Sequence, residues 1–318
     1  MSIFAHYNNI FEAIRAFEPS HAVLQCMEHG GLMIRSQRFD LIDMGDGKIA
    51  ALSFGPNMGT FYRGEKSQFL TCKPNLYRYQ DRNNRIVSGV KTCDFILYLK
   101  EDPTMQEWEK NDQIVDYRAL AQHYDFPTDM LDITSDIMVA AFFATHSYNS
   151  IIGRFVPVKD GIGRLRRYNG FLGMPENRIR TFGMQPYGRP GFQNGYGLVM
   201  EEKEDFSNMS LTVEFEQDPE MNERFSNSVP GQDMFFPPEP VIQQVAFLIK
   251  NTNVSTNKAI SLYCRETGEE QDRVVCMLKE RGISVVDAPL AHPLLKPIIY
   301  PVNLKRKHCR HRGQVSVK

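Results

Sequence analysis

Cysteine is scarce in this 318-residue chain, and none of the six cysteines stands in a CxxC pair. A zinc site built on paired cysteines is therefore not expected. Thiols scattered through so long a chain are typical of a reducing compartment. The first twenty residues also lack the basic start and unbroken apolar core of a signal peptide. These absences predict a cytoplasmic protein without a metal site.

Long apolar runs are also missing. No stretch approaches the roughly 18 consecutive apolar residues that a membrane helix needs, so no membrane partner is expected. Apolar residues make up 42% of the chain and charged residues 24%, which are ordinary globular values and argue against disorder. No Gly/Ser-rich linker or repeat divides the sequence, and the oligomeric state is not indicated.

Acidic residues are absent from the last fourteen positions. Residues 305–318 contain six lysines and arginines, while the whole chain has a net charge of −1, so the rest of the chain is acidic. A basic tail on an acidic body is able to hold nucleic acid or another polyanion. The alternative is a solvated terminus without a ligand.

Hydrophobic spacing predicts the main elements. Residues 8–17 and 115–124 have helical spacing, and residues 91–99 form the apolar face of a helix. Residues 101–113 are polar and are expected to form a connection, whereas residues 151–158 have a strand pattern. An N-terminal lead-in of short elements is expected to end at residue 57.

Arg63 and Gly64 follow the strand-favouring pair Phe61 and Tyr62. The arginine presents a planar, permanently charged fork that suits a phosphate or carboxylate, and the glycine lets backbone or ligand come close. The alternative for Arg63 is an exposed or salt-bridged arginine at a strand end.

The stretch from Ala119 to His146 places polar residues before a strongly apolar helix. Gln122, His123, Asp132 and Thr134 flank a proline turn, and buried polar groups are costly unless they are bonded. A pocket edge is therefore expected there. His123 suits acid–base chemistry or a structural hydrogen bond, and Asp132 suits a site carboxylate or a structural cap.

The apolar helix at 136–146 is predicted to be a buried core element without a catalytic role. Thr134 or Ser135 is expected to be its N-cap.

Three motifs together resemble one family. They are FYRG at 61–64, AQHYDFPTDMLDIT at 121–134 and DIMVAAFFA at 136–144. They are similar to the FRG domain, whose second signature reads approximately AQHYG, PTRLLDWT and ALFFA. Asp125, Asp129 and Ile133 depart from that pattern. The resemblance implies an α+β fold with a mixed sheet over residues 58–290, followed by a basic tail at 291–318.

A remoter similarity links the same residues to ADP-ribosyltransferases. It would put Arg63 in that family's arginine role and Asp132-Ile133-Thr134 in its Ser-Thr-Ser place. The late glutamate of that family is not matched, because the candidate positions hold glutamines, Gln193 or the pair Gln243 and Gln244. Loss of nicotinamide develops positive charge that a carboxylate offsets better than an amide does.

The resemblance implies a nucleotide-recognising protein with NAD as a substrate and no permanently bound cofactor. The first hypothesis is an NAD-consuming toxin or defence effector, with His123, Asp132 and Thr134 as catalytic residues. Arg63, Gln122 and Gln193 would then bind the nucleotide.

The second hypothesis is a non-catalytic module that binds a nucleotide or nucleic acid with help from the basic tail. A third is a scaffold with a vestigial site. An arginine- and aromatic-rich span at 164–192 is able to stack bases and hold phosphates, or else lines an ordinary surface.

Overall fold

A computed structural model describes residues 4–17, 39–45, 47–53, 59–79, 81–170, 178–229 and 235–290. The predicted basic tail at 305–318 lies outside the described residues. Within the described ranges the chain folds around a seven-stranded mixed sheet with helices on it and beside it. The predicted α+β class is therefore confirmed.

The strands are β1 (Ala5–Tyr7), β2 (Phe39–Asp43), β3 (Ile49–Ser53), β4 (Thr60–Glu65), β5 (Met130–Thr134), β6 (His146–Asn149), β7 (Arg154–Pro157), β8 (Ile162–Asn169), β9 (Ile179–Thr181), β10 (Gly195–Val199), β11 (Leu211–Glu216), β12 (Val254–Thr256) and β13 (Ser284–Val286). The main sheet has the order β1-β11-β8-β4-β5-β10-β9. Only β1 and β11 run parallel within it. Three two-stranded pairs join β2 to β3, β6 to β7 and β12 to β13.

The helices are α1 (Ile10–Phe17), α2 (Arg82–Glu101), α3 (Pro103–Lys110), α4 (Tyr117–His123), α5 (Ile137–Thr145), α6 (Arg189–Phe192), α7 (Pro219–Ser228), α8 (Pro240–Asn251), α9 (Asn257–Thr267) and α10 (Gln271–Glu280). The predicted helices at 8–17, 91–99 and 115–124 and the strand within 151–158 are confirmed. No helix in these ranges combines the length and apolarity that crossing a bilayer requires.

Two large hydrophobic cores hold these elements. One packs α1, α5 and α7 against β4, β8 and β11, and α5 is buried on nearly all sides, as predicted. The other lies among α2, α4, α8, α9 and α10 and forms a separate helical layer. Since α4 belongs to that layer and its C-terminal end lines the central cavity, the helical layer positions one wall of the site.

The N-terminal segment belongs to the main sheet. β1 pairs in parallel with β11, Ala5 opposite Val213 through Tyr7 opposite Phe215. The expected boundary at residue 57 is therefore not a boundary of the sheet, and the domain limits stay a prediction.

Two local predictions were wrong. Residues 101–113 contain helix α3, because Asp102 caps it by accepting from the Thr104 amide at 2.9 Å and Pro103 occupies the first turn. The cap of α5 is Asp136, whose Oδ1 accepts from the Met138 amide at 3.0 Å, and not Thr134 or Ser135. In both cases, an aspartate directly before the first helical residue marks the N-terminus of the helix in the sequence.

The main sheet is split between β4 and β5. β4 pairs with β8 along its whole length, and β5 pairs with β10 along its whole length. The two strands share one paired position, Tyr62 opposite Thr134. From Arg63 to Glu65, β4 is not paired with β5, so the main-chain pairing between these two strands is interrupted there.

Candidate functional site

A cavity of about 540 Å³ opens at the split in the sheet. Its walls come from β4, β5, the end of α4, the outer face of α5 and the β6–β7 hairpin. Among its lining residues are five of the six predicted site residues, namely Arg63, His123, Asp132, Thr134 and Gln193. The sixth, Gln122, lies behind the wall and bonds Asp132. The roles assigned to these residues stay predictions.

Arg63 spans the split. Its Nη1 donates to the main-chain oxygen of Asp132 at 2.7 Å, and its Nε lies 3.8 Å from Oε1 of Glu65. The guanidinium therefore links β4 to β5 where the backbone pairing has ended. Only 17% of the Arg63 side chain is exposed. Its remaining N–H groups therefore lie at the cavity wall.

A hydrogen-bond relay orients the carboxylate of Asp132. Thr128 Oγ1 accepts from the Met130 amide at 3.3 Å and donates to Gln122 Oε1, and Gln122 Nε2 donates to Asp132 Oδ1. Because the amide oxygen is occupied by Thr128, Gln122 must present its NH₂ group to Asp132. The side chain of Asp132 is exposed in the middle of β5. The cap alternative for Asp132 is wrong, since Asp136 caps α5.

Thr134 and Gln193 are engaged in internal bonds. The Thr134 hydroxyl donates to the Gln193 carbonyl at 2.8 Å and accepts from the Asp136 amide at 3.0 Å. The Gln193 Nε2 donates to the Phe235 carbonyl at 2.9 Å. A hydroxyl has a single proton, so Thr134 is able to offer a ligand an acceptor but not a donor. Gln193 retains its side-chain oxygen for a ligand.

His123 lies at the end of α4 and is largely shielded from water. Burial lowers the pKa of His123, and the nearby carboxylate of Asp132 offsets part of that effect. The ring is therefore neutral at pH 7. Its Nε2 has no hydrogen-bond partner among the described residues, and its main-chain oxygen accepts from Arg189 at 3.1 Å.

Four charged residues of the cavity were not predicted as site residues from the sequence, namely Arg78, Glu65, Lys66 and Asp125. Arg78 comes from the 3-10 turn Asn75–Arg78, and Glu65 and Lys66 come from the end of β4. Loss of hydration and the positive charge of Arg63 both lower the pKa of Arg78. Glu65 was detectable as the residue two positions after Arg63, because alternate residues of a strand share a face.

Arg78 and Arg63 line the same cavity, and nearby acids, including Glu65 and Asp132, favour the charged form of Arg63. The Nε of Arg78 donates to the Lys73 carbonyl at 2.9 Å, which holds the guanidinium in place. Two guanidinium groups that repel each other are stabilised by an anion between them.

The arginine-rich span at 164–192 is mostly neutralised by acids. The ion pairs join Arg164 to Glu214 (2.8 Å), Arg166 to Glu65 (2.9 Å), Arg178 to Glu204, Arg180 to Asp116 (3.0 Å) and Arg189 to Glu239 (3.5 Å). These arginines therefore do not form an open phosphate-binding stripe. The alternative candidates Gln243 and Gln244 are exposed on α8 and do not line the cavity.

Within the described ranges, no three His, Cys, Asp or Glu side chains are grouped as a metal site would need. The described cysteines are free thiols. Cys72 is buried near Arg63, and burial raises the pKa of its thiol to about 11. It is therefore protonated at neutral pH and is a poor nucleophile.

Residues 59–151 match the family model of the FRG domain. The chain contains an FRG domain. The match ends within the β6–β7 hairpin, so the predicted extension of the family likeness to residue 290 stays a prediction. No curated protein and no solved structure matches the chain.

The structure accounts for the signature of the FRG domain and for its departures here. Asp125 has φ 64°, a left-handed conformation in which the glycine of the usual pattern is unstrained and aspartate is tolerated. Asp129 pairs with Arg118 at 3.3 Å, so its negative charge is offset outside the cavity. Ile133 is 2% exposed and fills a core position where the usual tryptophan would lie.

The signature glycine of the FRG domain, Gly64, lies against helix α5. A Cβ at this position would be 1.8 Å from the Ala140 carbonyl oxygen and 2.7 Å from the Ala144 amide nitrogen. Glycine is therefore required for α5 to approach β4 this closely.

His146 predicts a dependence of stability on pH. It is 3% exposed and stacks on Phe142 at 4.3 Å, and burial lowers its pKa to about 4. The unfolded chain, with a pKa near 6.5, takes up this proton first as the pH falls. The free energy of unfolding should therefore fall by up to about 3 kcal/mol between pH 6.5 and 4 and then level off for this group.

Urea unfolding at a series of pH values between 7 and 4 measures this loss. His146→Asn keeps a donor for the Phe142 carbonyl, which lies 3.1 Å from Nδ1, and should lose part of the pH dependence. His6→Asn, on the exposed edge strand β1, is the matched control. Equal pH dependence in His146→Asn and wild type would contradict the prediction.

Proposed function

We propose that the cavity of the FRG domain binds a nucleotide and that the protein consumes NAD. The observation that carries the proposal is the joint placement of opposite charges in one cavity. Arg63, Arg78 and Lys66 would hold the phosphates, and the carboxylate of Asp132 would face the ribose. A role as a toxin or defence effector is part of the same proposal.

The reaction would break the bond between C1′ of the ribose and the nicotinamide nitrogen. The electron pair of that bond goes to the pyridinium nitrogen, which becomes neutral, and positive charge develops on the ribose. Asp132 would stabilise that charge. A water or another acceptor then bonds to C1′ and releases a proton, giving nicotinamide and ADP-ribose or its adduct.

The relay behind Asp132 supports this role. Gln122 is fixed by Thr128 and holds one carboxylate oxygen, so the other oxygen has a defined direction. Preorganised charge is more effective in catalysis than charge that must reorient during the reaction. Neutral His123 is suited to accept the proton released when the acceptor adds.

Variants of Asp132 and Arg78 test the proposal. Asp132→Asn should reduce nicotinamide release at least about 100-fold, as expected for loss of a transition-state charge contact. It should change the affinity for ADP-ribose much less. Arg78→Gln should weaken that affinity about tenfold, which corresponds to losing one charge-assisted hydrogen bond. Chromatography of nicotinamide and titration calorimetry with ADP-ribose are the measurements.

Arg273→Gln is the matched control, because Arg273 is exposed on α10 and does not line the cavity. It should behave as wild type in both measurements. A wild-type protein that binds none of NAD, ADP-ribose or ADP would refute the proposal altogether.

A second candidate is a module that binds the nucleotide without consuming it. The internal bonds of Thr134 and Gln193 favour it, because they engage polar groups that the first hypothesis assigns to catalysis and to nucleotide binding. Binding of ADP-ribose without nicotinamide release in wild type would select this candidate. A contribution of the basic tail to nucleic-acid binding would appear as an affinity that weakens with salt and on deletion of residues 305–318.

A further inference from the structure

The cavity has a second, aromatic end that the charged residues do not use. Phe143 on α5 and Tyr148 and Phe155 on the β6–β7 hairpin line it. Phe143 meets Phe155 edge to face with ring centroids 6.2 Å apart, and Tyr148 does so at 5.4 Å. The three rings therefore pack against one another and form one aromatic wall of the cavity.

Contacts with neighbouring residues hold this aromatic wall in place. Phe155 stacks on Phe236 with centroids 4.5 Å apart and planes 27° apart. The hairpin is tied to the end of β4, because Lys66 Nζ donates to Ser147 Oγ at 2.6 Å. Rings that are already packed in this way lose less conformational entropy when a ligand binds than freely rotating side chains would.

The aromatic side chains of this wall suit a flat, weakly polar group. His146 lines the cavity as a neutral ring, since burial lowers its pKa to about 4. Tyr148 is 58% exposed, so much of its ring is accessible to a ligand. Lys66 lines the same cavity and bonds Ser147 of the β6–β7 hairpin, so one ligand is able to place an anion near Lys66 and a ring on the aromatic wall.

We propose that the aromatic end binds the adenine ring of the nucleotide. This inference rests on the proposed nucleotide function and adds which part of the ligand occupies which end. Stacking on aromatic side chains supplies affinity for any base, because every base has a π-face. The phosphates then lie toward Arg63 and Arg78.

Two ligands, one with and one without the adenine ring, test the inference. AMP and ribose 5-phosphate share the ribose and the 5′-phosphate, and ribose 5-phosphate has an anomeric hydroxyl where AMP has its base, so loss of the affinity ratio in a variant of the aromatic wall reports the ring. Wild type should bind AMP about tenfold more tightly than ribose 5-phosphate in titration calorimetry. Tyr148→Ala should remove most of that ratio by weakening AMP, with the affinity for ribose 5-phosphate unchanged.

Phe247→Ala is the matched control, since Phe247 is 63% exposed on α8 and outside the cavity. Its AMP affinity should equal that of wild type. Equal affinities of wild type for the two ligands would overturn the ring assignment while leaving the phosphate site intact. Equal AMP binding by wild type and Tyr148→Ala would do the same. Binding of neither ligand would count against the nucleotide function itself, and the ring assignment would fall with it.

Discussion

Gly64→Ala is expected to leave little folded protein. The added Cβ would meet backbone atoms of α5 at 1.8 and 2.7 Å, so the helix would have to move by roughly an ångström or more to restore ordinary contact. Overpacking typically costs about 1–3 kcal/mol when side chains are able to adjust. Here the obstructing atoms are backbone in a buried helix, and we expect a loss of at least about 3 kcal/mol in the free energy of unfolding, at the upper end of that range or beyond it.

Denaturant unfolding followed by circular dichroism measures this loss. Gly268→Ala is the control, because Gly268 has φ 75° and a Cβ added there would meet no atom within 4 Å. It should lose only about 1 kcal/mol through backbone strain. Equal losses in the two variants would show that α5 does not press on β4 as described.

Arg166→Met is expected to be nearly as damaging. Arg166 is 1% exposed, and its Nε donates to Glu65 Oε2 at 2.9 Å. Its Nη1 donates to Thr212 Oγ1 at 2.8 Å. The variant would strand the carboxylate of Glu65, which is itself 4% exposed, with Arg63 at 3.8 Å as its remaining cation among the described residues. Loss of one partner of a buried pair costs about 3–5 kcal/mol.

The double variant Glu65→Gln/Arg166→Met tests the cause of that loss. Removing both charges eliminates the stranded carboxylate, so the double variant should be more stable than Arg166→Met alone. Free energies of unfolding of the wild type, both single variants and the double variant give the coupling energy. Additive losses would mean that the damage comes from packing and not from charge.

Local chemistry made much of the site predictable. Gln122, His123, Asp132 and Thr134 come together because they flank one turn and one short strand, so sequence proximity almost guarantees spatial proximity. Arg63 was identifiable as a charged fork beside a glycine. The relay from Thr128 through Gln122 to Asp132 was not, because hydrogen-bond directions depend on side-chain placement.

The missed residues depend on tertiary placement. Arg78 lies in a short 3-10 turn with no apolar period, and only the fold brings it toward Arg63. Tyr148 and Phe155 come together through the pairing of β6 with β7, whereas the sequence pattern predicts a single strand in this region. Helix α3 was missed for another reason, since its mainly polar sequence hides the cap at Asp102 and the buried Met105.

Between β4 and β5 the central sheet is joined by one paired position, Tyr62 opposite Thr134. Beyond Tyr62, the guanidinium of Arg63 bonds the main chain of β5 where main-chain pairing has ended. A ligand that bonds both strands would add contacts between the two halves of the sheet, which are linked here by one residue pair and one guanidinium. Ligand binding and the joining of the two strands are then thermodynamically linked, because a change that favours the joined strands also favours the bound ligand. The stability of the main sheet should therefore increase when a ligand fills the cavity.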